Sequence, residues 1–147
     1  MKEAYLWQTL RQGLPTIHWS RIESTVGAGT PDANGFDGIA ELWFELKIMR
    51  GNRLEFRKSQ VAWISRRLAA GATNVFVLAR RNDKLLLFMP SIVSIPPARV
   101  EAKSVHIDPG VPALTLSKPF DWQRLWDHCA WLARKRQDGV TFEDLLR

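Results

Sequence analysis

The sequence predicts a mixed α/β domain, of the α+β kind, on three observations. Apolar residues recur at helical spacing in 3–12, 57–70 and 122–136. Residues 40–48 alternate with period two, the mark of a strand. Two short apolar runs, Val75 to Ala79 and Leu85 to Met89, flank the polar segment Arg81-Asn82-Asp83-Lys84. The order α-β-β-β-α-β, with an added C-terminal helix, places a mixed central sheet between helices. A length of 147 residues with 46% apolar and 24% charged side chains suits one domain spanning 1–147 and excludes disordered, collagen-like and repeat chains.

Each element has a local cause. The first helix carries Tyr5, Leu6, Thr9 and Leu10 and ends at Gly13 and Pro15, which cannot continue it. Ile17 to Ser24 reads as a strand, and Gly27, Gly29, Pro31 and Gly35 break regularity into a polar loop. In 40–48, Leu42, Phe44, Leu46 and Ile48 alternate with Glu41, Trp43, Glu45 and Lys47, predicting a strand with one face inward. A hairpin over 33–48 would turn at Asp37-Gly38. The second helix shows Val61, Ile64 and Leu68 on one stripe and stops at Gly71. The core thus runs from about 3 to 90, and 90–120, which holds six of the eight prolines (Pro90, Pro96, Pro97, Pro109, Pro112, Pro119) and Gly110, reads as a Pro-rich excursion. The last helix carries Trp122, Leu125, Trp126, Cys129 and Leu132 at packing spacing.

Charge is uneven. The net charge is +6, and residues 47–67 hold seven basic side chains (Lys47, Arg50, Arg53, Arg57, Lys58, Arg66, Arg67) against the single acid Glu55, so the surplus lies in this stretch. A local surplus of this kind suits a polyanion, because each phosphate contact releases counterions; a solvated basic face is the competing reading. Cys129 has no disulfide partner, and His18, His106 and His128 make no zinc-type cluster. Without a signal-peptide pattern or a long apolar run, the expected location is the cytoplasm, the host's if the chain is phage-encoded.

The chemistry gathers around Asp32, Glu45 and Lys47. Period two puts Glu45 and Lys47 on one strand face, and the hairpin lets Asp32 approach Glu45. Two carboxylates with water positions left over suit Mg²⁺, and the Lys47 ammonium adds a point charge toward phosphate oxygens. An ordinary solvent-side ion pair and a turn aspartate would give the same residues. Gly27-Ala28-Gly29 lacks the Lys-Ser/Thr of a phosphate loop, so nucleotide binding is rejected.

Pro31-Asp32, Glu45-Leu46-Lys47 and Ser59-Gln60 within Phe56-Arg57-Lys58-Ser59-Gln60 together resemble the PD-(D/E)XK nuclease superfamily, and within it the phage-type Holliday-junction resolvases and VRR-type nuclease domains. The match spans about residues 17 to 81. The resemblance implies a restriction-endonuclease-like core, with Asp32, Glu45 and the Leu46 carbonyl holding Mg²⁺ (Mn²⁺ substituting), Lys47 assisting catalysis and Gln60 positioning the site. Members often add a further acid, for which the sequence offers Glu3 and Glu23; Glu23 is preferred because its strand leads into the Asp32 loop. The Val-Arg-Arg element of the VRR group appears here as Ala79-Arg80-Arg81.

The expected activity is therefore a metal-dependent DNA endonuclease, structure-selective and resolvase-like. The basic side chains Arg50, Arg53, Arg57, Lys58, Arg66 and Arg67 would meet branched or junction DNA. The alternatives are a DNA-binding module with an inactive nuclease fold and a sequence-specific restriction-type enzyme. Paired cuts across a junction favour a homodimer, with the Trp-rich helix and the hairpin at 85–89 as its contact surfaces.

Overall fold

The structure is a computed structural model and describes residues 2–22 and 29–139. Helix α1 (Glu3–Gly13) leads into strands β1 (His18–Arg21), β2 (Ala33–Phe36) and β3 (Glu41–Ile48). Strand β4 (Leu54–Arg57) runs straight into α2 (Lys58–Ala69), followed by β5 (Val75–Arg81) and β6 (Lys84–Phe88). A 3-10 turn over Pro90–Ser94, strands β7 (Arg99–Val100), β8 (Ser104–Ile107) and β9 (Leu114–Ser117), and α3 (Trp122–Gln137) complete the chain.

The main sheet has six strands in the order β1-β2-β3-β5-β6-β9. It is mixed, because β3 and β5 run parallel across the α2 crossover while the other neighbours are antiparallel. The expected fold class holds. Both predicted hairpins form: Asp37 Oδ1 accepts from the N–H groups of Ile39 and Ala40 at 2.8 and 2.7 Å, closing the β2–β3 turn. At the β5–β6 turn Asn82 takes a positive φ of 53°, which asparagine tolerates better than most residues.

Both faces of the sheet are covered, which corrects the expectation of a strand with one face inward. Leu42, Phe44 and Leu46 join Phe76 and Leu78 beneath Leu6 and Leu10 of α1 and Leu125 and Leu132 of α3. The opposite face carries Val75, Val77 and Ala79, packed with Ile64 of α2 and with Leu54 and Phe56 of β4. Glu45 and Lys47 alternate onto this second face and are therefore enclosed under α2, despite the polar reading their side chains invite.

Two further expectations change. The segment 90–120 is not a plain excursion: it supplies β9 to the edge of the main sheet and β7 and β8 to a second, three-stranded sheet ordered β4-β8-β7. Strand β4 had no visible signal, because its four residues Leu54–Arg57 abut the helix directly. The surfaces expected for a homodimer contact are also used within the chain. Leu85, Leu86, Leu87, Phe88 and Met89 are all buried, and so is Trp126, whose indole N–H donates to Asp37 Oδ2 at 2.9 Å. Among the described residues, no helix is long and apolar enough to cross a membrane.

Candidate active site

The end of the β2–β3 ladder creates the site. That ladder stops at the Ala33↔Phe44 pair, so the next inward N–H of β3, that of Leu46, has no strand partner on that side. The Asp32 side chain supplies one, accepting from the Leu46 N–H at 2.8 Å through Oδ2. The Asp32 carbonyl in turn accepts from the Ile22 N–H at 2.8 Å, which ties the loop to the end of β1. N–H and C=O of one strand residue point to the same edge, so the Leu46 carbonyl faces the Asp32 side as well.

Helix α2 supplies the opposite wall. Gln60 is its third residue, and there Gln60 Oε1 accepts from the Arg57 N–H at 2.8 Å, satisfying a donor at the helix start. The same oxygen accepts from Lys47 Nζ at 3.0 Å, and Gln60 Nε2 donates to Glu45 Oε1 at 3.1 Å. Lys47 Nζ stands 3.6 Å from Glu45 Oε1 and 4.8 Å from the centre of the Phe56 ring. One amide thus fixes both an ammonium and a carboxyl group. Glu45 is 0% exposed, Gln60 4% and Lys47 7%, so the solvent-side ion pair is excluded: enclosing ionic groups costs several kcal/mol each before pairing.

Glu45 is short of partners even so. Its Oε2 is buried with no hydrogen-bond donor, and the Asp32 carboxyl lies close to the Glu45 carboxyl. Burial first, then the Asp32 charge, push the Glu45 carboxyl up to about 9 against the pull of Lys47. Two carboxyl groups in such contact need a proton or a cation between them.

Lys47 and Gln60 open onto a cleft of about 720 Å³, which is also lined by Arg50, Arg53, Arg57, Glu3, Glu55 and His106. Of the basic side chains expected to meet a polyanion, Arg50, Arg53 and Arg57 reach this cleft. Lys58 is exposed beside it at the start of α2. Arg66 and Arg67 sit in the last turn of that helix, and the Arg67 guanidinium lies 4.5 Å over the Trp63 ring. Glu23 falls outside the described residues. Glu3 lines the cleft from the first turn of α1; desolvation by the surrounding walls raises its pKa, Lys47 lowers it and Asp32 raises it further. Of the two acids the sequence offers for the additional role, Glu3 is the one whose place in the cleft the structure describes. His106 arrives on β8, and nothing in the sequence pairs that strand with β4.

By sequence, no family model matches the chain and no curated protein matches it. By structure, the chain is similar to Hjc, a Holliday junction resolvase from the archaeal hyperthermophile Archaeoglobus fulgidus. That likeness has a TM-score of 0.49 and 22% identity, over 78% of this chain and 94% of the other. It is also similar to a bacterial homing endonuclease, with a TM-score of 0.40 and 10% identity over 94% of this chain and 91% of that one. The likeness is one of fold.

The donor set fits a hard divalent cation. The unpartnered Glu45 oxygen and the adjoining Asp32 carboxyl could offer two oxygen ligands, and the Leu46 carbonyl faces the Asp32 side. Among the described residues, no three His, Cys, Asp or Glu side chains form a metal cluster. A site with few protein ligands suits Mg²⁺, which keeps several waters and shares a substrate phosphate.

Proposed function

We propose that this protein is a metal-dependent DNA endonuclease of the PD-(D/E)XK type, hydrolysing phosphodiester bonds. The observation that carries the reading is the buried Glu45 carboxyl, with one oxygen unpartnered, set against Asp32 and tied through Gln60 to Lys47. A module that only held DNA would gain nothing from two carboxyl groups beside phosphates, which they repel when charged.

Asp32, Glu45 and the Leu46 carbonyl would hold Mg²⁺, with Mn²⁺ as a substitute. When bound, the ion supplies a water of lowered pKa and offsets charge on the phosphate. Lys47 presents its ammonium to the phosphate oxygens from a fixed position, because Gln60 Oε1 restrains it. Gln60 is a positioning residue for that ammonium and for Glu45. Arg50, Arg53 and Arg57 hold the DNA backbone along the cleft, and Glu3 is the described residue suited to the role of additional acid.

Selectivity for branched DNA follows the resemblance carried by Glu45-Leu46-Lys47 and Gln60, and a homodimer goes with it because two opposed cuts need two sites. The test is incubation of the purified protein with linear, flapped and four-way DNA. Cleavage that requires Mg²⁺ and is lost on chelation and in Glu45→Gln supports the reading. Binding without cleavage under every condition replaces it with the binding module. Light scattering on the same sample reports the subunit number.

A further inference from the structure

Three arginines converge on one tight turn, two as its own residues and one bound to it from outside. Arg50 and Arg53 face each other across an isolated antiparallel bridge between β3 and β4, with Gly51 at a φ of 59° inside the turn. Arg81, the last residue of β5, donates from one terminal nitrogen to the Gly51 carbonyl at 2.9 Å and to Asn52 Oδ1 at 3.3 Å. Among the described residues none of the three forms an ion pair, and Glu55, the acid next along the chain, lies opposite His106 in the β4–β8 register without an ion pair to either arginine. Like charges placed directly opposite each other on paired strands cost stability. A turn that gathers such charges with no carboxylate paired to them becomes favourable when it meets an anion, and guanidinium groups match phosphate oxygens in geometry.

The arrangement has two sides. Arg50 and Arg53 line the cleft that holds Lys47 and Gln60, whereas Arg81 and Asn52 line a separate hollow. Arg81 therefore braces the turn from behind.

We propose that Arg81 is a positioning residue that holds the Arg50–Arg53 turn as a two-pronged clamp for a backbone phosphate of DNA other than the one being cut. The identity of the polyanion rests on the nuclease reading. Arg81 acts on DNA through the turn: one terminal nitrogen of its guanidinium is bound to Gly51 and Asn52, and without it the two prongs lose their fixed separation. The arginine pair after Ala79 thus includes one residue with a role in the substrate cleft that its own place on β5 does not reveal.

The experiment is a double-mutant cycle on equilibrium binding. Wild type, Arg53→Ala, Arg81→Ala and the double variant are titrated with linear and four-way DNA, without divalent metal, from about 50 to 200 mM salt. Arg53→Ala weakens binding several-fold and lowers the salt slope by roughly 0.9. Arg81→Ala also weakens it several-fold, Arg81→Lys recovers part of the loss, and the double variant binds no worse than the weaker single one. Losses that multiply in the double variant, or Arg81→Ala that binds as wild type, overturn the clamp. If Arg81→Ala fails to fold by circular dichroism, Asn52→Ala removes one of the two braces and enters the same cycle. Coupling in a wild type that cuts no DNA with Mg²⁺ supports the clamp and removes the nuclease reading. Cleavage without coupling removes the clamp alone.

Discussion

Gly29 lies against the main chain of Ser59, so that a Cβ at position 29 would overlap the Ser59 carbonyl and crowd the Gln60 nitrogen. This contact joins the loop that ends in Asp32 to the helix that bears Gln60, and so sets the two walls of the candidate site at a fixed distance. Gly29 also has a φ of +67°, a conformation that glycine adopts without steric penalty. Gly29→Ala combines a positive φ with a backbone clash. Urea unfolding is expected to show a loss of about 1–3 kcal/mol, and cleavage at saturating Mg²⁺ to fall further than that stability loss explains. An alanine variant with full activity would show that the two walls are set by something else.

Gln60 gives the second prediction. Gln60→Ala leaves the Lys47 ammonium without its acceptor and Glu45 Oε1 without a donor, both in a buried setting. Removing one partner of a buried charged network costs more than the pair contributes, and a loss of about 2–4 kcal/mol is expected in urea. Cleavage should drop roughly 10- to 100-fold, the range found for residues that orient ligands. Gln60→Glu is a useful companion, since it keeps an acceptor for Lys47 but sets a third carboxyl beside Glu45; activity in that variant at wild-type level would detach Gln60 from the site.

The Glu45 carboxyl makes stability depend on pH. Its pKa rises from 4.5 in the unfolded chain to about 9 in the folded one, so between these values the folded state binds the extra proton. Stability of the metal-free protein therefore falls as pH rises through this window. A divalent cation held by the deprotonated pair reverses the trend, because it binds the form that high pH favours. Thermal melts with and without Mg²⁺ at pH 6 and pH 9 should show a larger stabilisation at the higher value. Asp32→Asn should abolish that difference. An Mg²⁺ effect equal at both pH values would place the ion away from Glu45.

Much of this was legible in the chain. Leu42, Phe44, Leu46 and Ile48 announced β3 by period two, and the Asp37-Gly38 and Asn82-Asp83 turns announced both hairpins. Asp32, Glu45, Lys47 and Gln60 were marked by spacing and resemblance, and the structure gathers them. Burial was not legible: alternation reports two faces but not what covers them, and α2 covers the polar one. Strand β4 is too short to declare a period, and its partner β8 lies about fifty residues away in sequence. The place of His106 in the cleft follows from that long-range pairing and from nothing local.

The basic side chains separate by position, and that supplies the final prediction. Arg57 lines the cleft, whereas Arg66 lies in the last turn of α2, nine residues farther along a helix that rises about 1.5 Å per residue. A phosphate backbone lying along the cleft passes Arg57 and ends its contact before Arg66. Arg57→Ala should therefore weaken binding at low salt and flatten the dependence of log K on log salt by roughly 0.9, one phosphate contact. Arg66→Ala should change the slope by less. The loss in Arg57→Ala should be the same for DNA of different sequence, because phosphate contacts position the protein and carry no base information. Fluorescence titrations at several salt concentrations decide it: a steeper loss from Arg66→Ala than from Arg57→Ala would move the DNA path off the cleft and onto the far end of the helix.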